Sequence, residues 1–314
     1  MPSRRHFLEP TFPVAATSVL PTPEGKTSLL KADLNTSQMR DSGRLVKLTI
    51  QPLRDKVFLI SGSGGNVLVH DGPDGKLIVD TGFATSRTQM SEAFASISPQ
   101  PLRLLIDTHW HFDHTDGNDW IHAAGATIVS HRKTVTRMQH TQFIPEFEGV
   151  FPPRTKAALP TVTFERKKTL HFNRQTIELA RYTPAHTDTD ISVYLAEADV
   201  LHTGDASFNG LYPFIDYSSG GSIDGMIAAC EENLVLAGPS TLIVCGHGTA
   251  GRRADILSFK EMLENVRHTV VKLKRAGASE EEVLSRKPTA QYDQEWGGGF
   301  ISADLFTWLV YRGV

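Results

Sequence analysis

The sequence has little cysteine, no long apolar run and no excess of positive charge. Its 314 residues include only Cys230 and Cys245, which is too few for a disulfide framework, and both lie in segments that read as core elements. No uninterrupted stretch approaches the roughly 20 apolar residues that a membrane span requires. A net charge of −3 argues against a nucleic-acid partner, which would need a basic surface. We therefore expect a soluble globular protein.

The N-terminal segment resembles a twin-arginine export signal only in part. The run Ser3–Leu8 contains paired arginines, but Glu9 and Pro10 interrupt the apolar stretch that such a signal needs next. A periplasmic and a cytoplasmic location both stay open. Residues 1–43 are interpreted as an arm or a degenerate signal because they lack periodicity, and residues 44–314 as one folded catalytic domain.

Apolar periodicity predicts strands in both halves of the chain, each set followed by helices. A β-meander over residues 45–80 leads into strand and helix units, and the order repeats from residue 162. A long helix over Arg253–Ala276 precedes Gly277, a helix stop. The pattern predicts an α/β, four-layer αββα sandwich of two mixed β-sheets flanked by helices. The segment Phe143–Pro160 has no clear period and is either a surface insertion or a cap.

A histidine-rich segment follows the predicted strand Leu102–Ile106. Within Thr108–His114 four potential metal ligands occupy six positions, and these are His109, His111, Asp113 and His114. A tight loop at a strand end could turn all four towards one pocket. Four imidazole and carboxylate groups exceed what one ion would take from so short a segment, so two ions are the natural solution.

These residues match the HxHxDH signature, and the chain resembles the metallo-β-lactamase superfamily from about Gly64 to Gly251. Three later motifs strengthen the resemblance because they occur in the order of the family. They are Ala185-His186-Thr187, His202-Thr203-Gly204-Asp205 and Cys245-Gly246-His247-Gly248.

The resemblance implies a hydrolase with two divalent metal ions, most simply Zn²⁺, although Mn²⁺ and Fe²⁺ suit the same ligands. The implied ligands are His109, His111 and His186 for one ion, Asp113, His114 and His247 for the other, and Asp205 between them. A hydroxide bridging the ions would be the nucleophile, and Asp113 would steer the attacking proton.

Further residues are expected around these ligands. Asp80, in the segment Val79-Asp80-Thr81-Gly82, resembles the aspartate that orients the ligand loop in this family, although a strand-end cap is the alternative. Phe208, Tyr212 and Phe214 are candidates for a substrate-lining wall, with ordinary packing as the alternative.

The substrate is expected to be a small molecule. Asp205 resembles the bridging aspartate of the thioesterase and lactonase branches, which implies an ester, a thioester or a lactone. Phe208 stands where acyl-homoserine lactonases usually carry tyrosine, which speaks against a quorum-signal lactonase. Cleavage of a β-lactam amide, a persulfide dioxygenase with one iron, and a non-catalytic binding protein on the same fold are the alternatives. Monomer and dimer both stay open.

Overall fold

A computed structural model describes Ala32 and residues 35–314. In chain order the strands are β1 (Thr49–Arg54), β2 (Val57–Ser61), β3 (Val67–His70), β4 (Lys76–Val79), β5 (Leu102–Ile106), β6 (Thr127–His131), β7 (Gln142–Ile144), β8 (Gly149–Phe151), β9 (Val162–Phe164), β10 (Lys167–Phe172), β11 (Gln175–Arg181), β12 (Ile191–Leu195), β13 (Val200–Asn209) and β14 (Leu242–Gly248). The helices are α1 (Thr36–Leu45), α2 (Arg87–Ile97), α3 (Phe112–Thr115), α4 (Asn118–Ala123), α5 (Arg132–Met138), α6 (Ile223–Leu236), α7 (Arg253–Arg275), α8 (Glu280–Ser285), α9 (Asp293–Trp296) and α10 (Ala303–Gly313).

The strands form two mixed sheets and one hairpin. A seven-stranded sheet has the order β1-β2-β3-β4-β5-β6-β9, and a five-stranded sheet has the order β10-β11-β12-β13-β14. Pairing is parallel from β4 to β9 and between β13 and β14, and antiparallel elsewhere. The predicted αββα sandwich of mixed sheets is confirmed.

Alternate side chains of each strand divide between the layers. Leu68 of β3 packs between the two sheets, whereas its neighbours Val67 and Val69 pack in the cluster that contains residues of α2 and α4. In the other sheet Val200 faces the first sheet and Leu201 packs with α6 and α7. The two-residue period of a strand thus buries both of its faces and holds the four layers together.

Helix α7 ends as the sequence predicts. The N–H of Ala278 donates to the carbonyl of Leu273 at 3.1 Å, and the N–H of Gly277 donates to that of Lys274 at 3.0 Å. These two bonds form a Schellman motif, in which Gly277 adopts a φ of +88°. The sequence did not predict helices α8 to α10, which follow this stop.

Helix α1 crosses the boundary that the sequence suggested at residues 43 and 44. Oδ1 of Asn35 accepts hydrogen bonds from the N–H groups of Ser37 and Gln38, and Gln38 Oε1 accepts from the N–H of Asn35. This capping box begins a polar helix with no apolar periodicity, which explains why the pattern gave no signal for it. The twin-arginine-like run Ser3–Leu8 lies outside the described residues.

Several smaller predictions can also be compared with the structure. Cys230 and Cys245 are buried free thiols, as predicted. The segment Phe143–Pro160 contains the β7–β8 hairpin, and its residues Ile144 and Phe147 reach the functional site as a cap would. None of the helices in the described part of the chain combines the length and the apolarity that crossing a bilayer requires.

His131 makes a pH-dependent contribution to stability. Its ring is buried, Nδ1 accepts from the N–H of Lys133 at 3.4 Å, and Nε2 donates to the carbonyl of Glu165 at 3.0 Å. Both contacts fit the neutral ring with its proton on Nε2. Burial, followed by the charge of Arg181, lowers the pKa of His131 to about 4.

Replacing His131 with asparagine is expected to reduce the acid sensitivity of folding. An unfolded histidine binds a proton near pH 6.5, whereas folded His131 does so near pH 4. The contribution of His131 to stability is therefore complete above pH 6.5 and is lost as the pH falls towards 4, by about 1 to 3 kcal/mol. Urea denaturation across this range should give a flatter profile for H131N. The exposed His268→Asn control should keep the wild-type slope, and an unchanged slope in H131N would contradict the assignment.

Candidate metal centre

The predicted ligands converge at one edge of the sandwich, between the two sheets. The loop after β5 and helix α3 carry the histidine-rich segment, and His186 follows β11. Asp205 and His247 lie on the neighbouring parallel strands β13 and β14, whose register is irregular between Gly204 and Phe208. Parallel strands bring their carboxyl ends to the same sheet edge, which is why residues so distant in sequence meet here.

All seven predicted ligands fall into three overlapping groups. Within each group, the ligand atoms lie within 4.8 Å of one another. The groups are His109, His111 and His186; His109, His114 and Asp205; and Asp113, His114 and His247. The first and third groups are the two ligand sets that the resemblance implied. The middle group shares His109 with the first group and His114 with the third. Its remaining member, Asp205, therefore lies where the two ligand sets adjoin.

Asp80 and Thr108 fix the orientation of two histidines. The buried Asp80 carboxylate accepts from the Thr108 N–H, from the Thr108 hydroxyl and from His114 Nδ1, each at 2.7 Å. Because the hydroxyl of Thr108 donates to Asp80, its oxygen accepts from His109 Nδ1 at 3.0 Å. When the two rings are neutral, these partners assign the proton of each to Nδ1 and leave Nε2 with a free lone pair.

A second set of partners orients His111 and His186. Nε2 of His111 donates to Asp216 Oδ2 at 2.9 Å, and Nδ1 of His186 donates to the carbonyl of Phe214 at 2.8 Å. The remaining nitrogens, His111 Nδ1 and His186 Nε2, face each other at 2.8 Å. In these neutral tautomers neither nitrogen carries a proton, so the contact calls for a cation that both lone pairs can bind.

Several buried atoms at the centre of the cluster lack a hydrogen bond. Within residues 35–314 these atoms are Nε2 of His109, His114 and His247, and Oδ1 of Asp205. His114 Nε2 lies 3.1 Å from Asp205 Oδ1, and His247 Nε2 lies 3.1 Å from Asp113 Oδ2, without the alignment of a hydrogen bond. Buried polar atoms in native proteins are nearly always paired, so four such atoms in one cluster indicate a missing partner. Nitrogen and carboxylate oxygen donors in this arrangement fit divalent metal ions.

Electrostatics keeps the buried carboxylates anionic and draws protons to two of the histidines. Burial alone would raise the pKa of Asp113, but His114 and His247 outweigh it and hold that pKa at about 2. Burial, together with the charge of His114, lowers the pKa of His109 well below its ordinary value. The carboxylates are therefore anionic and His109 is neutral, as metal ligands must be. Burial would lower the pKa of His114 and His247, but Asp205 and Asp113 outweigh it, raising the pKa of His114 well above its ordinary value and that of His247 to about 9. A divalent ion that binds these two rings must therefore displace their protons.

Two glycines let the backbone approach the ligands closely. A Cβ at Gly65 would overlap the ring of His114, and a Cβ at Gly246 would overlap the carboxylate of Asp205. Since both ligands are buried, neither can move away without losing its position. Any side chain at either glycine would displace a ligand.

The ligands form one end of a cavity of about 200 Å³. Five of them line it, and these are His111, Asp113, His186, Asp205 and His247. The other lining residues are mostly apolar, and they are Met39, Ser42, Gly64, Phe83, Phe112, Ile144, Phe147, Phe214 and Phe300.

Of the three predicted wall residues, only Phe214 lines the cavity. Phe208 is buried behind the ligands, with its ring stacked on His247 at 5.4 Å between centroids. Tyr212 stacks on Phe306 at 4.9 Å and donates to Asp293 at 2.8 Å. The structure corrects the expectation for Phe208 and Tyr212, because these aromatic residues pack into the core under the loop and leave the cavity to others.

Sequence reasoning missed several residues of the site. Asp216 and Thr108 act on the ligands only through hydrogen bonds, and nothing in their local sequence signals it. Met39, Phe147 and Phe300 come from segments without a motif, although Phe147 lies in the segment whose role as a cap was an open possibility. Their presence in the wall depends on tertiary packing.

Comparisons with known proteins agree with this geometry. A sequence model of the metallo-beta-lactamase superfamily matches residues 60–247. Among solved structures, the sec-alkylsulfatase Pisa1 from Pseudomonas sp. is similar at 16% identity and a TM-score of 0.64, over 91% of this chain and 53% of that chain. A metallo-beta-lactamase from Pontibacter korlensis is similar at 18% identity and a TM-score of 0.55, over 70% of this chain and 100% of that one. The DIM-1 metallo-beta-lactamase is similar at 19% identity and a TM-score of 0.53, over 70% of this chain and 98% of that one.

The chain thus spans about half the length of the alkylsulfatase that it matches, and at these identities the solved structures share its fold. The family match is the stronger finding because it covers more than half of the chain and includes every one of the seven clustered residues. With that match, the chain belongs to the metallo-beta-lactamase superfamily, and its clustered imidazoles and carboxylates can bind divalent ions.

Proposed function

We propose that this protein is a metal-dependent hydrolase that uses two divalent ions to cleave an ester, a thioester or a lactone. His109, His111 and His186 would hold one ion, Asp113, His114 and His247 the other, and Asp205 would contact both. Zn²⁺ suits this set of imidazoles and carboxylates best, and Mn²⁺ or Fe²⁺ could replace it. The observation that carries the proposal is the cluster of unpaired ligand atoms at the end of an apolar cavity.

When bound, such ions lower the pKa of a coordinated water towards neutrality and polarise a carbonyl oxygen. Asp113 is the residue of this chain that could handle the proton. It lines the cavity, it is anionic because its pKa is about 2, and its Oδ2 lies 3.1 Å from His247 Nε2. A carboxylate held there can orient the attacking water and accept its proton transiently.

Asp80 and Asp216 would serve as positioning residues. Each accepts the ring proton of one proposed ligand, His114 and His111 respectively, and thereby presents the opposite nitrogen to the ion. Such partners raise ligand basicity and restrict rotation of the ring.

Replacing Asp80 with asparagine is expected to lower metal affinity by about 10- to 100-fold. The amide would put an NH₂ group either against the Thr108 N–H or against the Thr108 hydroxyl and His114 Nδ1–H, so at least one contact becomes donor to donor. Competition with a chromophoric chelator measures the affinity. Asp71→Asn is a matched control, because Asp71 is also buried and accepts from Ser98 away from the ligands. Equal affinity in D80N and wild type would show that Asp80 only caps its strand.

A hydrolysis screen tests the proposed reaction. The purified protein, with its metal content measured, is offered lactones, thioesters, aryl esters, a chromogenic β-lactam and, because the fold is shared with a sec-alkylsulfatase, a secondary alkyl sulfate. We expect turnover of at least one of the first three classes, loss of that turnover after chelation and recovery with Zn²⁺. Turnover confined to the β-lactam or the sulfate would refute the proposed substrate class.

A further inference from the structure

One side of the cavity is a continuous row of aromatic rings above the proposed ligands. The Phe214 ring lies 6.3 Å from the His111 ring and 4.6 Å from the Phe147 ring, measured between centroids. Phe147 is in turn 6.5 Å from Phe300, whose ring lies 5.2 Å from that of His247. The row therefore runs from a ligand of one proposed ion to a ligand of the other, and it offers no hydrogen-bonding group along the way.

The remaining wall is mostly apolar, with Ser42 as the hydroxyl residue among the described lining residues, and helix α1 contributes to it. Phe83 and Phe112 stack with centroids 5.6 Å apart, and Met39 of α1 lines the same cavity. Met39 lies outside the segment that matches the family model, which begins at residue 60. This part of the wall therefore comes from a helix that lies outside the segment matched by the family model.

An ion-pair network fixes α1 over the site. Arg40 binds the carboxylate of Asp116 through two hydrogen bonds of 2.6 and 3.1 Å, and Arg154 binds the same carboxylate at 2.6 Å. The guanidinium of Arg40 also lies 4.7 Å from the centroid of Phe112. Since Asp116 directly follows α3, the network ties Met39 to the helix that carries Asp113 and His114, and it commits both arginines to Asp116.

The charge of the wall is as informative as its apolarity. No lysine or arginine is among the described residues that line the cavity, and its two carboxylates, Asp113 and Asp205, are proposed metal ligands. A charged group on the part of the substrate away from the ions would lose its hydration there and find no charged partner among the described residues that line the cavity. The wall therefore discriminates against such a group and favours an uncharged hydrocarbon chain.

From this wall we propose that the substrate is an ester, thioester or lactone with an uncharged apolar chain seated between the aromatic row and α1, and that Met39 is a specificity-determining residue for that chain. The inference rests on the proposed function, because the chain is placed relative to a carbonyl group at the metal centre.

A series of aryl esters with unbranched acyl chains of two to ten carbons tests the proposal, together with octanoate esters that end in a carboxylate. We expect kcat/KM to rise about two- to fourfold for each added CH₂ until the cavity is full. A terminal carboxylate should lower kcat/KM at least about 100-fold relative to the chain of equal length. A flat profile, or a preference for the carboxylate, would overturn the inference while leaving the proposed function standing.

A variant of Met39 makes the test specific to this wall. M39R adds a cation to the wall, so it should raise kcat/KM for the carboxylate-ended ester at least about tenfold and lower kcat/KM for the octanoate ester. M39L should keep the wild-type profile. If no ester, thioester or lactone is hydrolysed, the proposed function fails and binding decides about the wall. Calorimetry with 2-octanone and its 8-hydroxy derivative should then give at least tenfold tighter binding of the ketone without the hydroxyl, and equal binding would overturn the inference.

Discussion

Replacing His186 with alanine is expected to remove one of two bound metal equivalents and to lower kcat/KM at least about 1000-fold. His186 supplies a nitrogen that faces His111 Nδ1 at 2.8 Å, and its ring is fixed by the Phe214 carbonyl. Loss of an ion that activates water and polarises a carbonyl oxygen removes several kcal/mol of transition-state stabilisation, and each 1.36 kcal/mol corresponds to a tenfold change in rate. Elemental analysis and steady-state kinetics on the same preparation measure both effects.

The matched control is His268→Ala, because His268 is an exposed histidine on α7. It should keep both metal equivalents and the wild-type rate. Circular dichroism of H186A should show a folded protein, since the cavity that the substitution leaves lies at the open edge of the sandwich. Full metal content and full activity in H186A would contradict the proposed ligand set.

Replacing Asp205 with serine is the second substitution with a large expected effect. Asp205 lies between the two ligand sets, with its carboxylate 3.1 Å from His114 Nε2 in one set and 3.5 Å from His186 Nε2 in the other. A serine hydroxyl is neutral and too short to contact two ions. We expect the protein to retain one ion and to bind the other at least about 100-fold more weakly, with a comparable loss of kcat.

Metal titration followed by competition with a chelator distinguishes the two sites in D205S. Asp224→Ser is a suitable control because Asp224 is a surface residue paired with Arg267. Wild-type affinity for both ions in D205S would mean that Asp205 does not bridge. A loss of both ions, in contrast, would mean that Asp205 is essential to each site and that one shared site describes the cluster better than two.

The ligands were predictable because their signals are local. The segment His109–His114 packs its donors into six positions, and the later ligands occur in short motifs at or near strand ends. The αββα layering followed from periodicity in the same way, since strands buried on both faces leave apolar runs of recognisable length. Gly277 could be assigned as a helix stop because the left-handed conformation that a Schellman motif requires favours glycine.

The surroundings of the ligands were less predictable because they depend on contacts between distant segments. Asp216 contacts His111 across 105 positions of sequence, and no motif marks it. Phe208 and Tyr212 are aromatic, as residues that line an apolar cavity often are, and yet both pack into the core. Helix α1 is short, polar and capped by its own side chains, so only its docking through Arg40 explains its place in the site.

Anomalous diffraction from crystals of the Zn²⁺-reconstituted protein, recorded above and below the zinc edge, tests the two-ion centre most directly. The proposed function predicts two peaks about 3.5–4 Å apart. One should lie among His109, His111 and His186, the other among Asp113, His114 and His247, with the carboxylate of Asp205 in contact with both. A single peak at saturating Zn²⁺, or peaks away from these residues, would contradict it.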